Sequence, residues 1–150
     1  MKIFEEKEKK DYTVIIGCGR LGANLANALS EEGENVVIID ESKDSFRRLS
    51  PAFGGLSLVG SGTDPDMLSR AQVEKATAVI AVTNDDNTNI MVTQLARDLF
   101  RAERVIARLY DPEREMVYRQ LGIDTICPAA LSAREIDRLL EAGKEKEVLS

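Results

Sequence analysis

Apolar, β-branched runs punctuate the chain at regular intervals, and the stretches between them change to helical spacing. The runs are Tyr12–Ile16, Asn35–Ile39, Leu56–Val59, Ala78–Val82, Val105–Ala107 and a weak sixth at Thr125–Cys127. Most are continuous rather than alternating, the pattern of strands covered on both faces. After the first run, Leu21, Leu25, Ala28 and Leu29 fall at i, i+4, i+7 and i+8 and predict a helix over Gly22–Ser30. A short helix is predicted over Ser42–Leu49. Asp64 followed by Pro65 is an N-cap with proline at the first helical position, opening a third helix through Arg70. Further helices are predicted over Asn87–Phe100, over Pro112–Leu121 with Gly122 as a left-handed cap, and over Ala130–Ala142 with Gly143 beyond. Strand–helix alternation along the whole chain predicts an α/β fold, a Rossmann-like doubly wound parallel sheet of about six strands with helices on both faces. Residues 1–10 read as a charged N-terminal tail, 11–143 as the domain and 144–150 as a C-terminal tail. The last helix carries Leu131, Ile136, Leu139 and Leu140, and one face of it is expected to cover the sheet.

Composition narrows the chemistry. Hydrophobic residues make up 43% of the 150 positions and charged residues 31%, the profile of a globular domain with a real core. The formal net charge of −6 speaks against nucleic acid or an anionic membrane surface as the main partner. No apolar run approaches the ~20 residues that span a bilayer. The opening MKIFEEKEKKDY lacks the apolar core of a secretory signal. Cys18 and Cys127 are far apart and follow no metal-ligand spacing, so the expectation is a cytosolic protein with reduced thiols. The chain has no histidine, which closes every route that needs a His base, a Ser–His or Cys–His pair, or a His-ligated metal.

The first predicted strand runs directly into Gly17-Cys18-Gly19-Arg20-Leu21-Gly22. A G-x-G-x-x-G run between strand and helix suits a pyrophosphate: one glycine for the turn, one for close approach of the phosphates, one for helix–strand packing. The free N–H groups at the helix start then face the anion. Asp40 ends the second strand, 23 residues after Gly17, where an acid takes ribose hydroxyls and repels a 2′-phosphate. Arg20 is a candidate phosphate partner and Cys18 fills a small-residue slot. At the other strand ends, Ser61, Thr63 and Asn84 are placed to meet base or ribose, and Arg108 to meet phosphate. Asp85 and Asp86 read as a solvated loop rather than a cation site.

These motifs together resemble a known family. GCGRLGANLA, Asp40, GSGTDPDML, AVIAVTNDDNTNIM, VIARLYDPERE and GIDTICP, in that order, are similar to the RCK domain, also called KTN or TrkA-N, of the TrkA- and Ktr-type subunits of bacterial potassium transporters. The resemblance covers residues 11 to about 143. It implies a regulatory subunit, not an enzyme. Such a subunit binds an adenine nucleotide (AMP, ADP or ATP) or NAD(H), and gates a potassium transporter membrane subunit through shape changes of an oligomeric ring. It also implies a peripheral position on the cytoplasmic side of the membrane, a homo-oligomer or a hetero-oligomer with another TrkA-type subunit, and a terminal helix that meets a neighbour. Carried over by position, the cofactor-binding set is Gly17, Cys18, Gly19, Arg20, Leu21 and Gly22 for phosphates, Asp40 with Glu41 for the ribose, Ser61, Gly62 and Thr63 along the adenine, Thr83, Asn84 and Asn87 on the floor, and Arg108 near the terminal phosphate, from its own or a neighbouring subunit. No catalytic or metal residue is implied. Two departures stand out. Ser61 occupies a position where the family often has Asp, and the chain ends at Ser150, before the further C-terminal ligand domain that many members carry. An NAD-dependent oxidoreductase, or its cofactor half, is the rival reading; a structural adaptor with a vestigial site is a third.

Overall fold

The computed structural model describes residues 11–149, with side chains described as far as Lys146. The tail expected over 1–10 lies outside the described residues. Six parallel strands form one sheet: β1 (Tyr12–Ile16), β2 (Asn35–Asp40), β3 (Leu56–Val59), β4 (Ala78–Ala81), β5 (Val105–Arg108) and β6 (Asp124–Ile126). Their order is β3-β2-β1-β4-β5-β6. The order reverses between β1 and β4, which leaves a crevice at the carboxyl ends of those two central strands. In register, Ile16 of β1 lies beside Ile39 of β2 and Ala81 of β4.

Alternate residues of the continuous apolar strands feed two cores. Val14, Ile16, Val37, Ile39, Val79 and Ala81 face α2 (Pro65–Arg70) and α3 (Asp86–Gln94). Ile15, Val36 and Ile38 face α1 (Arg20–Glu31) and the 3₁₀ turn over Lys43–Arg48. Helical segments therefore lie on both faces of the sheet, as the sequence pattern predicts. The Asp64 cap holds as predicted, with its carboxylate accepting the Asp66 N–H at 3.0 Å.

Several expectations need correction. The segment over Ser42–Leu49 is a 3₁₀ turn, not an α-helix. The helix expected to reach Phe100 is α-helical only to Gln94, then widens into a π turn over Leu95–Leu99 and stops where Arg101 takes φ +56°. The expected helix over Pro112–Leu121 opens as a 3₁₀ turn, Pro112–Arg114, before α4 (Glu115–Gln120). β3 is not covered on both faces: it is the sheet edge, with Leu56 and Val59 exposed.

The largest correction concerns the last helix. α5 runs over Pro128–Leu149, straight through Gly143 and through most of the expected tail. Gly143 has no positive φ to end the helix, so it only weakens it, by about 1 kcal/mol relative to Ala. Nor does α5 cover the sheet. Residues 131 to 141 are all exposed, including Leu131, Ile136, Leu139 and Leu140. Only Cys127 separates β6 from α5, which leaves no loop to turn the helix back.

A cleft across the strand ends

The glycine loop owes its shape to two close approaches. Gly17 has φ +107°, and a Cβ there would lie 2.9 Å from the Thr83 nitrogen. A Cβ on Gly22 would lie 1.8 Å from the Gly17 carbonyl oxygen, so α1 can approach β1 only with glycine at that place. Gly19 is different: it has an ordinary negative φ of −82°, and nothing lies within 4 Å of where its Cβ would be. Gly19 is the N-cap of α1 and offers no side chain to the first-turn N–H groups, which stay free for an anion.

Asp40 is tied to this loop. Its Oδ2 accepts the Cys18 N–H at 2.8 Å and its Oδ1 accepts the Ser42 N–H at 2.8 Å. Each carboxylate oxygen keeps a further lone pair for a hydroxyl. The Cys18 thiol is buried and donates to the Ser45 carbonyl at 3.3 Å. Burial, and then the Asp40 charge, push its pKa up, partly offset by Arg48. It is a protonated filler, not a nucleophile.

Two adjoining cavities of about 290 Å³ each lie over the strand ends and share Gly17, Asp40, Thr83 and Asn84. The first adds Glu41, Ser61 and Gly62 with apolar Ile16 and Ile39, and reaches Asp85 and Thr88. The second adds Cys18, Gly19, Ser45, Arg48, Val82 and Arg108. Most of the sequence-derived candidates therefore meet in one cleft. Thr63 does not line it but supports Ser61, the two hydroxyl oxygens lying 2.8 Å apart. Arg20 and Leu21 are exposed at the start of α1 and line neither cavity. Asn87 points to Arg114, whose Nη1 donates to its Oδ1 at 3.1 Å. Gly22 acts through packing.

The floor rests on a residue that motif reasoning missed. Asn89 is fully buried in α3, accepts from Thr83 and donates to the Thr83 and Arg108 carbonyls. Its signal was an amide on the apolar face of a predicted helix. Arg108 of β5 stands in the cleft of its own chain. Its Nη2 donates to the Thr83 carbonyl at 2.6 Å, and its guanidinium lies 5.0 Å from the Tyr110 ring centre. Arg48 and Ser45 were also missed, because the 3₁₀ turn brings them to the loop from a distant part of the chain.

The two acids after β4 serve the backbone. Asp85 caps α3 by accepting the Thr88 N–H at 3.1 Å and hydroxyl at 2.6 Å, and the hydroxyl bond leads the effects that hold its pKa low. Asp86 accepts the Tyr110 N–H at 2.8 Å and the Asp111 N–H at 3.2 Å.

What the cleft suits is a phosphate-bearing ribonucleoside: free N–H groups beside open space at Gly19, an acid for hydroxyls, and an arginine whose buried Nε has no partner among the described residues. Comparison with known proteins identifies the family. Residues 13–128 match the model of the TrkA-N domain. The Trk system potassium uptake protein TrkA of Streptomyces coelicolor is 45% identical over 135 residues, 89% of this chain and 60% of its own length. A TrkA homolog of Methanothermobacter thermautotrophicus is 30% identical over 139 residues, 92% of this chain and 64% of its own. The chain thus spans about three-fifths of these relatives. Among solved structures, the GsuK channel bound to NAD aligns with TM-score 0.66 at 21% identity, covering 83% of this chain and 22% of that one. The AMP-bound Kef C-terminal domain of Shewanella denitrificans aligns with TM-score 0.70 at 20% identity, covering 89% and 82%. At such identities these two likenesses speak for the fold.

Proposed function

The chain belongs to the TrkA-N domain family, and from that premise we propose that it is the nucleotide-binding unit of a regulatory subunit of a potassium uptake system. The observation that carries this reading is the junction of loop and acid: Asp40 and Gly19 stand side by side at one cleft, linked through the Cys18 N–H. An adenine nucleotide or NAD(H) lies across it, phosphates over the glycine loop and ribose hydroxyls on Asp40. AMP, ADP, ATP and NAD(H) share the adenosine that Asp40 and Ser61 would hold. The NAD of GsuK and the AMP of the Kef domain are the models for this ligand class.

The role is regulatory rather than catalytic. The chain has no histidine, and the one thiol at the cleft is held protonated. A ligand acts by preferring one shape of an assembly over another, and moves it only by that preference. The assembly is a ring of several copies, or of this chain with another TrkA-type subunit, on the cytoplasmic side of the transporter's membrane subunit. Exposed Leu131, Ile136, Leu139 and Leu140 on α5 support a contact between copies, and so do half-buried Ile80, Ile106 and Ile126 on the sheet. Among the described residues no helix is long and apolar enough to cross a membrane, which suits a peripheral place.

The test is to denature the purified protein, identify released nucleotide by mass spectrometry, and titrate the stripped protein with AMP, ADP, ATP, NAD and NADH. An adenosine-containing ligand is expected. Binding of none of them overturns the reading.

A further inference from the structure

Two arginines reach the second cavity from opposite sides of the glycine loop. Arg48 comes from the 3₁₀ turn after β2, and its Nη1 donates to the Cys18 carbonyl at 3.4 Å. Arg108 comes from the end of β5 and is held by the Thr83 carbonyl. Both line that cavity, and among the described residues neither is in an ion pair. A guanidinium has five N–H donors, so each keeps donors free; the buried Arg108 Nε has no partner among the described residues. Charge is divided along the cleft: Glu41 and Asp85 line only the first cavity, and the two arginines only the second. Asp40 is common to both, with its oxygens on main-chain N–H groups.

One phosphate is served by the free N–H groups at the start of α1. Two planar forks beyond them exceed what a single phosphate needs and match the oxygens of a second. We propose that Arg48 is a specificity-determining residue. Together with Arg108 it takes the phosphate attached to the first, so the cleft selects adenosine ligands that carry a diphosphate, such as ADP or NAD, over AMP. This rests on the nucleotide reading above. Arg48 is exposed on its turn, so replacing it removes no core packing.

Calorimetry of the full chain with ADP, NAD and AMP tests it, comparing wild type with Arg48→Met. Wild type should bind ADP and NAD about tenfold or more tighter than AMP, the size of one charge-assisted contact. Arg48→Met should shrink that ratio to within about threefold, by weakening ADP and NAD and not by tightening AMP. A wild type that binds AMP as well as ADP overturns the inference and leaves the nucleotide reading standing. So does a variant that keeps the ratio. Equal loss of all three ligands also overturns it, since Arg48 would then merely support the loop through Cys18; thermal melting shows whether that variant is folded. A wild type that binds none of the three overturns both readings.

Discussion

Asn89 holds Thr83 by three hydrogen bonds. Its Oδ1 accepts the Thr83 N–H at 2.9 Å and the Thr83 hydroxyl at 2.6 Å, and its Nδ2 donates to the Thr83 carbonyl at 3.0 Å. The remaining amide proton goes to the Arg108 carbonyl at 2.9 Å. One buried side chain thereby fixes the ends of β4 and β5 relative to each other. Replacing it leaves several buried groups without partners. Asn89→Ala should cost about 2–3 kcal/mol of stability, read from the urea midpoint. A loss below about 0.5 kcal/mol, the scatter of surface substitutions, would show that Thr83 finds other partners.

Asp40→Ala should weaken nucleotide binding by about 1.5–3 kcal/mol, the range for a hydrogen bond to a charged group. It also strips the Cys18 and Ser42 N–H groups of their acceptor. The same carboxylate should make NADP bind less tightly than NAD. Calorimetry checks both; unchanged affinity in the variant, or a preference for NADP, removes Asp40 from the ribose position.

The glycines separate binding from folding. Gly19→Val should leave the melting temperature close to wild type, because nothing lies near its Cβ, yet block nucleotide binding. Gly22→Val should lower the melting temperature sharply, because its Cβ meets the Gly17 carbonyl. A Gly19→Val protein that binds nucleotide normally puts the phosphates elsewhere.

The chain should lose stability in alkali through Cys18. Burial and Asp40 raise its folded pKa above the ordinary 9.0, so the unfolded chain releases this proton first. The stabilisation is complete below that ordinary value and falls as pH rises through the folded one. Tyr12, also raised chiefly by burial, acts in the same direction from 10.0 upward. Melting curves between about pH 8 and 10 should fall less steeply for Cys18→Ala. Parallel curves would mean that the thiol does not carry the effect.

Assembly should depend on α5. Light scattering at micromolar concentration should show more than one copy per particle, and Leu139→Asp with Leu140→Asp should reduce the particle to a monomer. A wild type that is strictly monomeric, with and without nucleotide, refutes the ring.

The six strands were legible because most are short continuous apolar runs, and their ends agree with the structure to within a residue. The loop, Asp40 and most candidate contacts were legible because the Rossmann crossover places strand ends together. Arg48 was not, since no periodicity links it to Cys18 thirty positions away. Asn89 was hidden inside a polar run that also reads as a helix start. The path of α5 was illegible for another reason: an apolar stripe says that a face is to be buried, not against which molecule.

β1 lies between β2 and β4, and Thr13 pairs with Ala78, a partner 65 positions later. Gly17 is moulded against Val82 and Thr83. During synthesis the glycine loop therefore has no template until the chain beyond Thr83 has left the ribosome. The first half, β1 to β3, waits with one side of β1 unpaired. Such non-local pairing is slow, and the bare edge invites association with other nascent chains. The ligand cannot help at that stage, because half of its cleft does not yet exist. On the proposed nucleotide reading, the ligand protects the finished domain but cannot guide its birth, so added nucleotide should raise the melting temperature without improving the yield of co-translational folding.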